Sequence, residues 1–129
     1  MDRRILQPLS RDRFYRCRQR TVTCTAFLHE CPGGSGTTGW DWVVWTFEKA
    51  RQYCPNAKLF LNDYNIVSDA LATDRYINII NILKDRNLID GIGEQGHFLE
   101  TTPLATIKTN LDKLAATNLP IHISEFDLN

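Results

Sequence analysis

The sequence predicts an α/β domain in which parallel strands alternate with helices. Three observations carry that prediction. Short apolar runs begin near residues 58, 90 and 120; a segment of helical periodicity precedes each; and the repeat of about 30 residues is the length of one strand-helix-strand crossover, which only parallel strands require. Eight such units would close a barrel of roughly 250 residues. A chain of 129 residues holds fewer than four. The spacing therefore leaves two architectures, a small doubly wound sheet or part of a barrel.

Residues 1–32 stand apart from this pattern. Residues 1–31 carry seven Arg, no Lys and three acids, a net of +4, while the rest carries eight bases against twelve acids, a net of −4. The stretch RDRFYRCRQRTVTCTAFLHECPGGSG has no sustained helical or strand period, so an irregular segment is expected there. Cys24, His29 and Cys31 lack the paired spacing by which a short turn presents two zinc ligands. The arginine run reads as a solvated tail, or as sequence foreign to the domain that follows. The four cysteines form no recognisable disulfide framework.

Over the whole chain the charges cancel, 15 against 15, which gives no reason to expect nucleic acid or an anionic membrane as partner. No apolar run of about 18 residues is present, so no membrane-spanning helix is expected. The N-terminal arginines are not followed by the apolar stretch of an export signal.

From Gly39 the texture changes. Trp40, Val43, Val44, Phe47 and Cys54 share one helical face, Thr38 and Asp41 resemble a capping box, and Pro55 ends the helix. KLFLND, residues 58–63, has strand length. DRYINIINILKDR, residues 74–86, predicts a second helix with Tyr76, Ile79, Ile80 and Leu83 inward. IDGIGEQGH, residues 89–97, reads as a strand entering a glycine-rich turn. In the third helix Thr102 is the expected N-cap and Pro103 the first residue, with Leu104, Ile107, Leu111 and Leu114 as its apolar stripe. PIHISEFD supplies the last strand.

In both architectures ligands bind beyond the carboxyl ends of the strands. Polar residues gather there in all three units: Asn62, Asp63, Tyr64 and Asn65; then Glu94, Gln95 and His97; then Glu125 and Asp127. Taken singly, an Asn or Asp after a strand is usually a turn former and a lone His a hydrogen-bonded core residue. Three coincident clusters point to a site.

WDWVVWTFEKARQYCPNAKLFLNDYNI, DGIGEQGH and PIHISEFD resemble, in order and spacing, consecutive signatures of the glycoside hydrolase family 10 endo-1,4-β-xylanases. The resemblance covers residues 33–129 and implies a partial (β/α)8 barrel running from the fourth helix to the seventh strand. It implies hydrolysis of xylan or xylo-oligosaccharides without metal or organic cofactor, and secretion of the full-length protein. It also implies roles: Glu125 as nucleophile, His97 and Asp127 as its support, and Gln95, Tyr64 and Asn65 as sugar-binding residues. Asp127 would hold His97 in one tautomer with an N–H toward Glu125. Phe126 stands where the family usually has Leu.

A retaining glycosidase needs a second carboxyl group as acid/base. In the family that Glu follows an Asn in a WDVVNE-like stretch just upstream of the helix that here begins near Trp40, and this chain has no Asn-Glu pair. Glu30 has unsuitable neighbours, strand alternation turns Glu94 away from Gln95, and Glu100 lies on a loop. The expectation is therefore an inactive fragment carrying half of the catalytic pair. Two rivals stand beside it. One is a noncatalytic carbohydrate-binding module; the other is a metal site of His97, His122 and Glu125, disfavoured because residues three apart on a regular strand face opposite ways.

Overall fold

A computed structural model of the chain describes residues 21–25 and 35–127. Four parallel strands form one sheet: β1 (Thr21–Thr25), β2 (Lys58–Tyr64), β3 (Gly91–Gly96) and β4 (Ile121–Phe126), in that spatial order. The helices are α1 (Asp41–Tyr53), α2 (Ala70–Asp85) and α3 (Leu104–Ala115), with a short 3-10 turn at Leu99–Thr101. Each strand lies beside its predecessor, so every crossover steps the same way across the sheet. Right-handed crossovers then place all helices on one face. A doubly wound sheet reverses direction and covers both faces. The one-way order excludes that alternative and is the winding of a (β/α) barrel.

β1 corrects the expectation of an irregular N-terminal segment. Thr21–Thr25 pair in parallel register with Lys58–Asn62. TVTCT alternates β-branched Thr with Val and Cys, a strand signal too short to stand out among arginines. The readings attached to His29, Glu30 and Cys31 lie outside the described residues. Cys54, buried at the end of α1, is disulfide-bonded although spacing predicts no framework.

The helix-side core is the one the apolar periodicity predicts. Val43, Val44, Phe47 and Ala50 of α1 and Tyr76, Ile79, Ile80 and Leu83 of α2 are buried against Leu59, Leu61 and Ile92. α3 departs from expectation. Leu104 is 83% exposed and Leu114 fully buried, while Asn110, a polar residue, is buried and donates from Nδ2 to the Val67 carbonyl at 2.9 Å. That bond ties α3 to the loop after β2, satisfying an amide that burial would otherwise penalise.

Helix starts also differ in detail. Asp41, the first residue of α1, accepts from the Thr37 and Thr38 backbone N–H groups and from the Thr38 hydroxyl, while the Thr38 hydroxyl accepts from the Trp40 N–H at 3.1 Å. A carboxylate in the first turn also suits the helix dipole. α2 starts earlier than its apolar pattern, because Asp69 caps it by accepting from Leu71 N–H at 2.9 Å. Pro103, not Thr102, is the N-cap of α3.

The amino ends of the strands are clamped by charge. Asp90 accepts from Arg51 at 2.6 Å and from the Leu59 N–H at 2.9 Å, with Lys58 at 3.5 Å. Partial burial pushes the Asp90 carboxyl up, but the Leu59 N–H and Arg51 together outweigh it and hold the group below its ordinary value. Order at this end leaves the opposite end of the sheet for chemistry.

Candidate active site

Alternation along the strands sorts side chains between two faces. Leu59, Leu61 and Ile92 point to the helices. Phe60 is buried outside that core, and its ring lies 4.5 Å from the His122 ring across β3. Asn62 shares the Phe60 face, which in a closed barrel is the interior.

The alternate glycines of GIG make room on this face. A Cβ at Gly91 would lie 2.2 Å from Phe60 Cε1, and one at Gly93 would lie 2.4 Å from Asn62 Oδ1. Larger side chains from β2 therefore lean across β3, and any residue but glycine would evict them.

One level further along, Tyr64 pairs with Gln95 and Gln95 with Glu125. Tyr64 is 59% exposed, so its ring is open to a ligand. Asn65 takes left-handed backbone, φ 61°, and turns the chain out of β2; its side chain makes no hydrogen bond among the described residues.

His97 stands just beyond β3. Its Nδ1 lies 2.9 Å from Asp127 Oδ2 and its Nε2 lies 3.0 Å from Glu125 Oε2. A neutral ring has one N–H and would set a lone pair against one of these carboxylates. Only the imidazolium donates to both. The pKa of His97 is raised, chiefly by the bond to Asp127; burial opposes this, and the bond to Glu125 and the charges of both carboxylates add to the rise. With a carboxylate at each nitrogen the ring faces an acceptor on both sides, an arrangement that favours its protonated form.

Phe98, next along the chain, adopts left-handed backbone at φ 57° as it enters the 3-10 turn. For a bulky residue that costs about 1–3 kcal/mol. It reverses the chain immediately after His97.

Glu94 is fully buried on the helix side, as alternation predicts, and its carboxyl oxygens have no hydrogen-bond partner among the described residues. Burial and then the nearby Asp63 push its pKa to about 8. The Tyr76 hydroxyl, which neighbours both acids, donates to the Gly93 carbonyl at 3.2 Å. Glu100 is exposed in the 3-10 turn.

β4 does not alternate regularly. Glu94 pairs with Ile123 but Gln95 pairs with Glu125, so Ser124 is an extra residue in a β-bulge. Its hydroxyl lies 2.6 Å from Asn62 Oδ1 and 3.1 Å from the Glu94 carbonyl. The bulge overturns one step of the sequence reading, because His122 and Glu125, three apart, share a face after all. They still form no metal site: His122 packs on Phe60, Glu125 meets His97, and among the described residues no group of three His, Cys, Asp or Glu could hold a metal. Ser124 is the site residue that sequence reasoning missed, and that reasoning places Asn62 in a polar cluster without giving it a role. Asn62 carried a signal in its polar cluster; Ser124 carried none.

A parallel sheet wound in one direction, with a polar cluster beyond the carboxyl ends of its strands, defines the class: part of a (β/α)8 barrel. The comparisons with known proteins name the family. The model of glycosyl hydrolase family 10 matches residues 30–129. The endo-1,4-β-xylanase A of Thermoanaerobacterium saccharolyticum is 36% identical over 92 residues, which cover 70% of this chain and 8% of that protein. A crystal structure of an intracellular xylanase from the same organism, a mutant in complex with xylotriose, superposes with a TM-score of 0.65 at 35% identity, covering 70% of this chain and 28% of that one. The family 10 xylanase of Thermobacillus composti gives a TM-score of 0.64 at 31% identity, over 84% of this chain and 32% of its own.

The chain belongs to glycosyl hydrolase family 10. It spans a small part of the relatives it matches, under a third of each solved structure. The last likeness covers more than residues 33–129 alone contain, so it reaches into the segment that composition sets apart.

Proposed function

We propose that this chain is the nucleophile-bearing segment of a retaining endo-1,4-β-xylanase, acting on internal bonds of xylan or xylo-oligosaccharides. The observation that carries the reading is His97, bonded at one nitrogen to Glu125 and at the other to Asp127, within a family 10 match. In this reading Glu125 attacks the anomeric carbon and expels the leaving sugar, forming a glycosyl ester on its carboxylate. The His97 N–H orients the Glu125 oxygen not used in attack, and Asp127 holds the ring in place. Gln95, level with Glu125, bonds the sugar at the point of attack. Tyr64 and Asn65 line the leaving-group side, where the exposed Tyr64 ring offers a stacking surface.

The acid/base carboxyl group must lie about 5–5.5 Å from the nucleophile. Glu94 faces the helices, and Glu100 lies in the exposed 3-10 turn. The partner of Glu125 therefore comes from a part of the barrel outside residues 33–129.

The test is a full barrel in which residues 33–129 replace the matching segment of the Thermobacillus composti xylanase. Treated with a 2-fluoro-xylobioside bearing a good leaving group, it should accumulate a covalent adduct on the peptide containing Glu125, read by mass spectrometry. An adduct on another residue would overturn the assignment of Glu125. Binding of xylotriose by this barrel with neither adduct nor hydrolysis would instead favour the second reading, a noncatalytic sugar-binding module built around Tyr64, Gln95 and His97.

A further inference from the structure

We infer that Asn62, Gly93 and Ser124 form a positioning device that turns Glu125 from the helix side of the sheet to the cleft side. The inference deepens the proposed function, since it rests on Glu125 as the reacting group.

The argument starts from alternation. Ile121 packs toward the helix-side core and His122 lies on the Phe60 face. A regular strand would continue this order and send Ile123 and Glu125 to the helix side. Glu125 would then join Glu94 in an apolar interface with no cationic partner. The bulge prevents this by adding Ser124 between the partners of Glu94 and Gln95, so that Ser124 and Glu125 both face the cleft.

A bulge gives up ladder bonds and needs other contacts to hold it. Ser124 supplies them: its Oγ lies 2.6 Å from Asn62 Oδ1, two strands away, and 3.1 Å from the Glu94 carbonyl on the strand between. The Asn62 carboxamide reaches across only because Gly93 has no side chain; a Cβ there would sit 2.4 Å from that same Oδ1. Asn62 is buried at 3% exposure, so its oxygen depends on a protein donor rather than on water. The three residues come from three strands and meet at one point beneath Glu125. None of them hydrogen-bonds to the His97 or Asp127 side chain, so they act through the path of the β4 backbone.

The test reads the aim of Glu125 without requiring turnover. In the full barrel carrying residues 33–129, the His97 imidazole is titrated by NMR with and without Glu125→Gln. In the parent sequence that substitution should lower the His97 midpoint. In a Ser124→Ala background the same substitution should leave the midpoint unmoved, because Glu125 has already left His97. Ser124→Thr, which keeps the hydroxyl, should restore the response, and Asn62→Ala should weaken it. An undiminished response in folded Ser124→Ala would overturn the proposal. So would unfolding of both Ser124→Ala and Asn62→Ala, since the pair would then hold the sheet together rather than aim one side chain. Failure of the Glu125 assignment is distinguishable, because it would leave this coupling intact while the fluoro-sugar adduct forms elsewhere.

Discussion

At the scale of single residues, His97 and Glu94 titrate in ways their surroundings dictate. His97 has its pKa raised by Asp127 first and Glu125 second. Its ion pairs therefore stabilise the fold fully below the ordinary histidine value, and that contribution is lost as pH rises through the raised midpoint. We expect Asp127→Asn to lower the His97 midpoint more than Glu125→Gln does, measured by NMR of the ring; equal midpoints in all three proteins would refute the bridge. Glu94 behaves oppositely to a paired carboxylate. Its pKa rises from 4.5 to about 8 on folding, so between those values the folded chain binds more protons than the unfolded one. Stability then falls as pH rises, by up to about 1.4 kcal/mol per pH unit. Glu94→Gln should flatten that slope, and urea titrations at pH 5 and pH 8 check it.

At the scale of elements, strand ends divide the labour. The Asp90 clamp joins α1, β2 and β3 at the amino ends, where it stabilises and carries no chemistry. Asp90→Ala removes the side-chain acceptor of the Leu59 N–H and the carboxylate partner of Arg51, which keeps its bond to the Ala57 carbonyl, and should cost about 1.5–3 kcal/mol in denaturant unfolding. Because the Asp90 pKa is depressed, the contribution is present above about pH 3.8 and fades as pH falls through the folded value. On the helix side Phe47 is fully buried, and Phe47→Ala should cost about 3–5 kcal/mol through the cavity it leaves. The helices were legible because a buried stripe imposes its period on the sequence: Val43, Val44 and Phe47, or Tyr76, Ile79, Ile80 and Leu83, can be read directly. Leu104 misled the reading because an apolar residue at a helix start satisfies the period whether or not anything packs on it. Asn110 was hidden because its partner, the Val67 carbonyl, lies 43 residues away in sequence.

At the scale of the whole molecule, the one-way strand order leaves the outer edges of β1 and β4 without neighbours among the described residues. Ile123 and Phe126 are exposed on β4, and Tyr64 is exposed at the end of β2. Unpaired edges and apolar surface of this kind recruit other chains. The 129-residue chain studied alone should therefore associate at micromolar concentration, and sedimentation that finds only monomer would refute this. On the proposed reading, in which the acid/base carboxyl group lies outside residues 33–129, the 129-residue chain should turn over xylan negligibly. Measurable turnover, abolished by Glu125→Gln, would refute the inactivity while supporting the nucleophile.

The sequence by itself determined the alternation of strands and helices, the inward helix faces and the polar clusters at the strand ends. Each is set by neighbours a few residues apart, through apolar period and turn chemistry, and is written locally. Only the tertiary structure decided the one-way order of the strands, the strand at Thr21–Thr25, the pairing of His97 with Glu125 and Asp127, and the face on which Glu125 lies. Those depend on groups brought together from distant segments. Glu125 shows this most sharply: strict alternation would bury it under the helices, and a serine bonded two strands away turns it to the cleft.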